Sequence, residues 1–333
     1  MGDAATARPN VLVIQADKFR ADCFGAAGNP DVRTPHLDQL AADGVRYPNA
    51  FCPFPVCTPS RYSLLTGLHA RQHGGWTNRS TLAPGIDTFP RALRRIGYRT
   101  AAVGKMHFTP TYLDTGYDRM DLAEQDGPGR YDDDYHRELF EAGHAPVTDL
   151  VDQEQEHRER APASYWQTFG GGRSNLPAEW HSTTWIAERA HQVLDGWSAG
   201  GGQLLHVSLV KPHHPFDPPA PWDELYDPDA LTLLPGWTGA IPDADRAHRR
   251  AYFDYELLTS HALRRVMAYY YGAISHLDHQ IGRLLDLLRR RGLYDRTLIV
   301  FTSDHGEYLG FHHLLLKDGP MYDPLVKVPL LVK

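Results

Sequence analysis

A chain of 333 residues, 42% hydrophobic and 23% charged, is long enough to bury a large core without disulfides or structural metals, which excludes a small cross-linked scaffold. Lys and Arg number 34 against 41 Asp and Glu, a formal net charge of −7, so no overall positive field gathers phosphate backbones or anionic lipid, and general nucleic-acid binding is excluded. No apolar run approaches the roughly 20 residues of a membrane-spanning helix, so no membrane partner is expected. Met1 to Arg8 holds no stretch of signal-peptide length; a cytoplasmic chain is expected, in which the Asn78-Arg79-Ser80 sequon has no role. Cys23, Cys52 and Cys57 lack C-x-x-C spacing and are odd in number, against both a disulfide framework and a zinc site. Nineteen histidines, several beside Asp, Lys or Pro, direct attention to metal or acid/base chemistry.

In chain order, apolar runs at Val11 to Ile14, Thr100 to Val103, Leu204 to Val210 and Thr297 to Thr302 read as short strands ending in polar residues. Helical patterns lie between them. His36 to Asp43 closes on Gly44, Pro59 to Thr66 on Gly67, Thr88 to Ile96 on Gly97 and Leu263 to Arg291 on Gly292, with Thr183 to Trp197 a further candidate. This alternation predicts an α/β fold whose mostly parallel sheet is covered on both faces, with binding groups at the carboxyl ends of the strands. Residues 110 to 180 are rich in Asp, Glu, Arg, Gly and aromatics without sustained period, and read as an irregular surface insertion at a substrate entrance. Pro212 to Asp245 reads as a second irregular segment, and Val328 to Lys333 as a last strand.

The sharpest feature is Cys57-Thr58-Pro59-Ser60-Arg61 followed by Leu64-Leu65-Thr66-Gly67. Alone, it reads most simply as a buried cysteine ahead of a helix with Pro59 at its first position. A thiol beside a helix amino terminus and an arginine, however, occupies an electropositive niche that also holds anions. The motif resembles the formylglycine signature of the sulfatase family, within the alkaline phosphatase superfamily. The resemblance continues, in the family's order, through Ala16-Asp17-Lys18-x-Arg20-x-Asp22, Thr34-Pro35-His36-Leu37-Asp38, Gly104-Lys105-Met106-His107, Lys211-Pro212-His213-His214-Pro215 and Thr302-Ser303-Asp304-His305-Gly306-Glu307, and runs from residue 9 to the last.

The resemblance implies an alkaline-phosphatase-like α/β/α sandwich that hydrolyses a small-molecule sulfate monoester. It implies that a maturation enzyme oxidises Cys57 to formylglycine, with Arg61 helping to hold that residue. Asp17 follows the first strand and Asp304 with His305 a later one, so a parallel sheet brings all three to Cys57 as a metal site. Carboxylates, an imidazole and an oxygen nucleophile suit one divalent cation, Ca2+ first, with Mn2+ and Mg2+ as alternatives. Lys105 and His107 leave the second strand, Lys211 and His213 the third, and Lys317 follows the Asp304 loop at a spacing similar to the family's. With Arg61 they would surround a tetrahedral anion. In the implied mechanism one hydroxyl of the hydrated residue 57 attacks sulfur beside Asp304 while His213 or Lys317 protonates the departing alcohol. His107 then takes a proton from the second hydroxyl, so that sulfate is expelled and the aldehyde restored. His214 and His313 read as surface residues.

Two positions depart from the pattern. Where the family carries Asp, Gln or Asn to help bind metal, this chain has Lys18. A protonated lysine has no lone pair, so either it turns away, or the site holds metal weakly, or it holds none. His305 stands where many arylsulfatases have Asn; histidine there resembles the choline-sulfatase and phosphonate monoester hydrolase branches. The alternatives are a phosphonate monoester or phosphodiester hydrolase with the same nucleophile, and a degenerate sulfatase-like protein that binds anions without turnover. The family's smaller carboxy-terminal subdomain is expected to be absent.

Overall fold

The structure, a computed structural model, describes residues 8–124, 132–144, 163–246, 253–317 and 319–333. Nine strands are formed among them: β1 (Asn10–Ala16), β2 (Val45–Arg46), β3 (Ala50–Phe51), β4 (Arg99–Gly104), β5 (Arg119–Leu122), β6 (Gln203–Ser208), β7 (Thr297–Ser303), β8 (Lys327–Val328) and β9 (Leu330–Val332). Seven make one sheet in the order β2-β9-β7-β1-β6-β4-β5, and β3 pairs with β8 in a small second sheet. The strands β7, β1, β6, β4 and β5 are mutually parallel, whereas β9 runs antiparallel to both β7 and β2. The mostly parallel α/β sheet expected from the strand and helix alternation is therefore present.

Alternate residues of the central strands enter two separate cores, because successive side chains point to opposite faces. Leu12, Ile14, Ala101, Val103, Leu205, Val207, Ile299 and Phe301 pack with the helices Pro35–Asp43, Ser182–Asp195 and Ser260–Arg290. Val13, Ala102 and Leu204 pack on the other face with Tyr62 and Leu65 of the helix Cys57–Thr66 and with Phe89 and Leu93 of the helix Phe89–Arg95. No helix among the described residues is long and apolar enough to cross a membrane.

Register decides what meets at the carboxyl edge. Ala16 is level with Ser303, while Gln15 and Gly104 are both level with Ser208. The loops that begin at Asp17, Lys105, Leu209 and Asp304 thus leave four adjacent strands side by side. Gly104 has a left-handed φ of 97°, and a Cβ there would lie 2.0 Å from Ser208 O, so only glycine lets the chain turn into Lys105 at this approach.

Three features differ from the sequence expectation. Residues 119–122 and 134–141, within the stretch read as irregular, form edge strand β5 and a helix capped by Asp133, which accepts from His136 N at 2.8 Å; residues 125–131 and 145–162 of that stretch lie outside the described residues. The last strand is split by Pro329, which has no N–H, into β8 and β9, and β2 covers the outer side of β9. The helix expected from Pro59 starts at Cys57, with Val56 as its extended N-cap.

The helix Pro35–Asp43 is capped from a distance: Asp278 accepts from His36 N (3.2 Å) and Leu37 N (2.7 Å). Burial pushes the Asp278 carboxyl from its ordinary 3.8 up to about 7, against the pull of these two N–H groups. The folded chain therefore holds a proton there that the unfolded chain has released, so stability falls as pH rises through that interval. Asp278→Asn is expected to flatten this decline, which urea midpoints at about pH 5 and about pH 8 would measure.

Candidate active site

Arg61 is the centre of the site and is almost completely buried. Its position one turn into the helix Cys57–Thr66 aims the guanidinium along the sheet edge, where it joins four segments. Nε donates to Asp304 Oδ2 and Nη2 to Asp17 Oδ2, both at 3.0 Å, while Nη1 donates to Lys105 O at 2.5 Å and Ser208 Oγ at 2.7 Å. Lys105 Nζ adds a second cation to Asp17 Oδ2, at 2.7 Å. Burial pushes the Asp17 carboxyl up, but Lys105, Arg61, His305 and Lys317 outweigh it and hold the group well below the ordinary carboxylate range. Asp304 is driven the other way, by burial and by the charge of Asp17.

Cys57 lies at the first position of the helix, 1% exposed. Its Sγ is 2.8 Å from Lys317 Nζ, 3.3 Å from His305 Nε2 and 3.9 Å from Asp17 Oδ1. Burial and Asp17 raise the thiol, but Lys317, Lys105 and His305 prevail and hold it well below its ordinary value, as a thiolate niche requires. Lys317 is shifted upward: burial opposes its charge, and Cys57 and Asp17 overcome that opposition. The next N–H of the helix, Thr58 N, is taken by Asn78 Oδ1 at 3.1 Å, and Thr58 Oγ1 donates to His107 O at 2.9 Å, tying the first turn of the helix to the loop after β4. Glu124 fixes that loop from behind by accepting from Met106 N and His107 N, each at 3.0 Å.

The residues fit a divalent cation. One ligand atom each from Asp17, Cys57, Asp304 and His305 lie within 4.8 Å of one another, the spread expected of atoms each about 2.4 Å from a common centre. His305 Nδ1 faces Gly306 O at 2.9 Å, and a carbonyl only accepts, so Nδ1 carries a proton and Nε2 is the nitrogen turned into the cluster, where it can serve as a ligand once deprotonated. Cys57 Sγ supplies one of the four atoms of this cluster. Lys18 is not in this cluster. Its backbone has a left-handed φ of 66°, its N–H donates to Asp304 Oδ1 at 3.1 Å, and its Nζ turns away to Glu307 Oε2 at 3.0 Å and His214 Nδ1 at 2.9 Å.

Of the expected pocket cations, Arg61, Lys105 and Lys317 converge on Asp17 and Cys57. Lys211 behaves differently: its ammonium is bound by Asp217 and, at 2.9 Å, by Pro215 O, so it braces the loop that carries His213. His213 Nδ1 donates to His214 O at 2.7 Å, and burial, His214, Lys18, Lys105 and Lys317 hold the ring well below its ordinary value, hence neutral. Two expectations are corrected. His214 and His313 are buried, not surface residues; His214 meets Lys18, and His313 bridges Thr238 O and Tyr255 O at 2.9 and 2.7 Å. The carboxylates Glu124, Asp217 and Glu307 were given no role by sequence reasoning, and only the place of Glu307 beside Asp304-His305 offered a signal.

A family model described as Sulfatase matches residues 9–333. The arylsulfatase of Clostridium perfringens is 30% identical over 98% of this chain and 68% of its own length, and the choline-sulfatase of Rhizobium meliloti is 29% identical over 98% and 63%. Among solved structures, the phosphonate monoester hydrolase of Agrobacterium radiobacter superposes with a TM-score of 0.78 at 27% identity, covering 98% of this chain and 68% of that one. The chain thus spans about two thirds of the length of these relatives. Its fold is alkaline-phosphatase-like, and it belongs to the sulfatase family of sulfuric ester hydrolases.

Proposed function

We propose that this chain hydrolyses a small sulfate monoester at residue 57, matured from cysteine to formylglycine by a separate enzyme. The observation that carries this reading is the seat of Cys57, at a helix amino terminus, under Lys317 and against the Asp17, Asp304 and His305 cluster. The hydrated aldehyde supplies one hydroxyl to attack sulfur and a second to release sulfate. Asp17, Asp304, His305 and residue 57 would hold a divalent cation, which would supply Lewis-acid polarisation of the ester oxygens. The chain's own groups do the rest. Arg61 and Lys105 compensate Asp17 and keep its free oxygen aimed into the site. Lys317, held protonated, lies close enough to neutralise charge on the oxygens of the bound anion. His213, neutral with its proton on Nδ1, presents the other nitrogen as an acceptor, which leaves Lys317 as the resident proton source on the leaving-group side. His107 leaves the same strand end as Lys105 and is assigned as the base for the second hydroxyl.

A second reading, hydrolysis of phosphonate monoesters or phosphodiesters by the same nucleophile, is favoured by His305 and by the structural likeness noted above. Lys105 and His107 argue for sulfate, because that branch is expected to have neutral hydroxyl-bearing residues at the two positions. With matured protein carrying one divalent cation by elemental analysis, kcat/KM for 4-nitrophenyl sulfate is expected to exceed that for a 4-nitrophenyl phosphonate monoester at the same pH. The reverse order would overturn the substrate class and leave the nucleophile standing.

A further inference from the structure

Lys18 is an expensive residue to place where it is. It is fully buried beside a metal-ligand aspartate, in a backbone conformation that a side chain with a Cβ rarely adopts. Two partners meet its ammonium, and each belongs to a different loop of the site. Glu307 Oε2, at 3.0 Å, is one. The other oxygen of Glu307 accepts from Leu309 N at 3.2 Å and from Leu316 N, so this carboxylate gathers the 309–316 loop that delivers Lys317 to Cys57. His214 Nδ1, at 2.9 Å, is the second partner, and its ring stacks on His213 with centroids 4.4 Å apart and planes at 22°.

The donor and acceptor inventory then fixes both rings. An ammonium only donates, so His214 Nδ1 bears the lone pair and its proton is on Nε2. His213 Nδ1 faces the carbonyl of His214 at 2.7 Å, so its proton is on Nδ1 and the opposite nitrogen bears the lone pair. We propose that Lys18 is a positioning residue: its buried ammonium ties the loops bearing His213 and Lys317 together beside residue 57 and sets the tautomer of His214, whose ring stacks on His213 and whose carbonyl holds the His213 Nδ1 proton. A lysine at a metal-ligand position is thereby a brace between the two groups on the leaving-group side rather than a defect. The structural part of this proposal is independent of the sulfatase reading; its kinetic consequence rests on it.

Long-range 15N–1H correlation spectra of the full chain labelled at histidine provide the test. The wild type is expected to show His214 protonated on Nε2 and His213 on Nδ1. Lys18→Gln, which keeps a donor, is expected to retain both assignments, and Lys18→Met to lose that of His214 and move the resonances of His213. On matured protein, Lys18→Met should lower kcat for 4-nitrophenyl sulfate about 10- to 100-fold with KM little changed, and Lys18→Gln should recover part of the loss. A folded Lys18→Met protein with wild-type tautomers would overturn the proposal. So would a wild-type spectrum with His214 protonated on Nδ1, which needs no variant. A wild type with the expected tautomers but no action on aryl sulfates would defeat the proposed substrate while supporting the brace.

Discussion

Cys57→Ala is expected to abolish turnover of an aryl sulfate, by at least about 10⁴-fold, while the chain remains folded with an unchanged denaturation midpoint. In the proposed function activity disappears because residue 57 supplies the attacking atom, whereas Lys105 and Lys317 stabilise charge and form no bond to sulfur. Stability persists because the side chain fills little core. Its neighbours Lys317, His305 and Asp17 remain paired with one another and with Arg61 and Lys105. A co-expressed maturation enzyme should lift wild-type activity in proportion to the fraction of residue 57 found as aldehyde by peptide mass spectrometry. Activity that is independent of that fraction would transfer the nucleophile to another group.

Arg61→Ala is expected to act through stability as much as through chemistry. The guanidinium meets both Asp17 and Asp304, with every partner buried. Removing it leaves two carboxylates short of compensation in a dry site, for which a loss of about 3–5 kcal/mol is typical. Chemical denaturation would measure the loss, and a divalent cation should restore part of it by supplying the missing charge. Arg61→Lys should recover little, because a single ammonium cannot reach Asp17, Asp304, Lys105 O and Ser208 Oγ together. A variant as stable as the wild type would mean that Lys105 alone balances the pair.

The central strands were legible because they are apolar on both faces and stop at polar motif residues, so parallel pairing alone brings Asp17, Lys105 and Asp304 together. Strand β5 was not legible: Arg119-Met-Asp-Leu is four residues long and half charged, and it is a strand because β4 offers it an edge. The cluster of Asp17, Cys57, Asp304 and His305 could be anticipated from strand ends, whereas the role of Lys211 could not, since nothing in Lys211-Pro-His-His-Pro says that its charge meets Asp217 instead of an anion. Buried acids escape sequence reasoning for the same reason. Glu124 and Asp217 look like solvated carboxylates until the fold surrounds them, and Glu124 is then pushed above its ordinary value by burial despite the counter-pull of His107 and Lys105.

Strand β1 lies between β6 and β7, and Asp304 and Lys18 are 286 positions apart in sequence yet hydrogen-bonded. During synthesis, then, the first strand emerges with no neighbour on its β7 side until residues 297–303 have been made. At about 5–20 residues per second, the ribosome needs on the order of ten to fifty seconds to travel from residue 57 to residue 304. Throughout that interval the cysteine has neither the Asp304-His305 loop nor Lys317 beside it. A thiol that is 1% exposed in the finished protein is therefore open to a modifying enzyme mainly on the nascent or unfolded chain. Fast closure of the sheet would compete with the maturation proposed for Cys57, so slower translation between residues 57 and 304 should raise the yield of active protein.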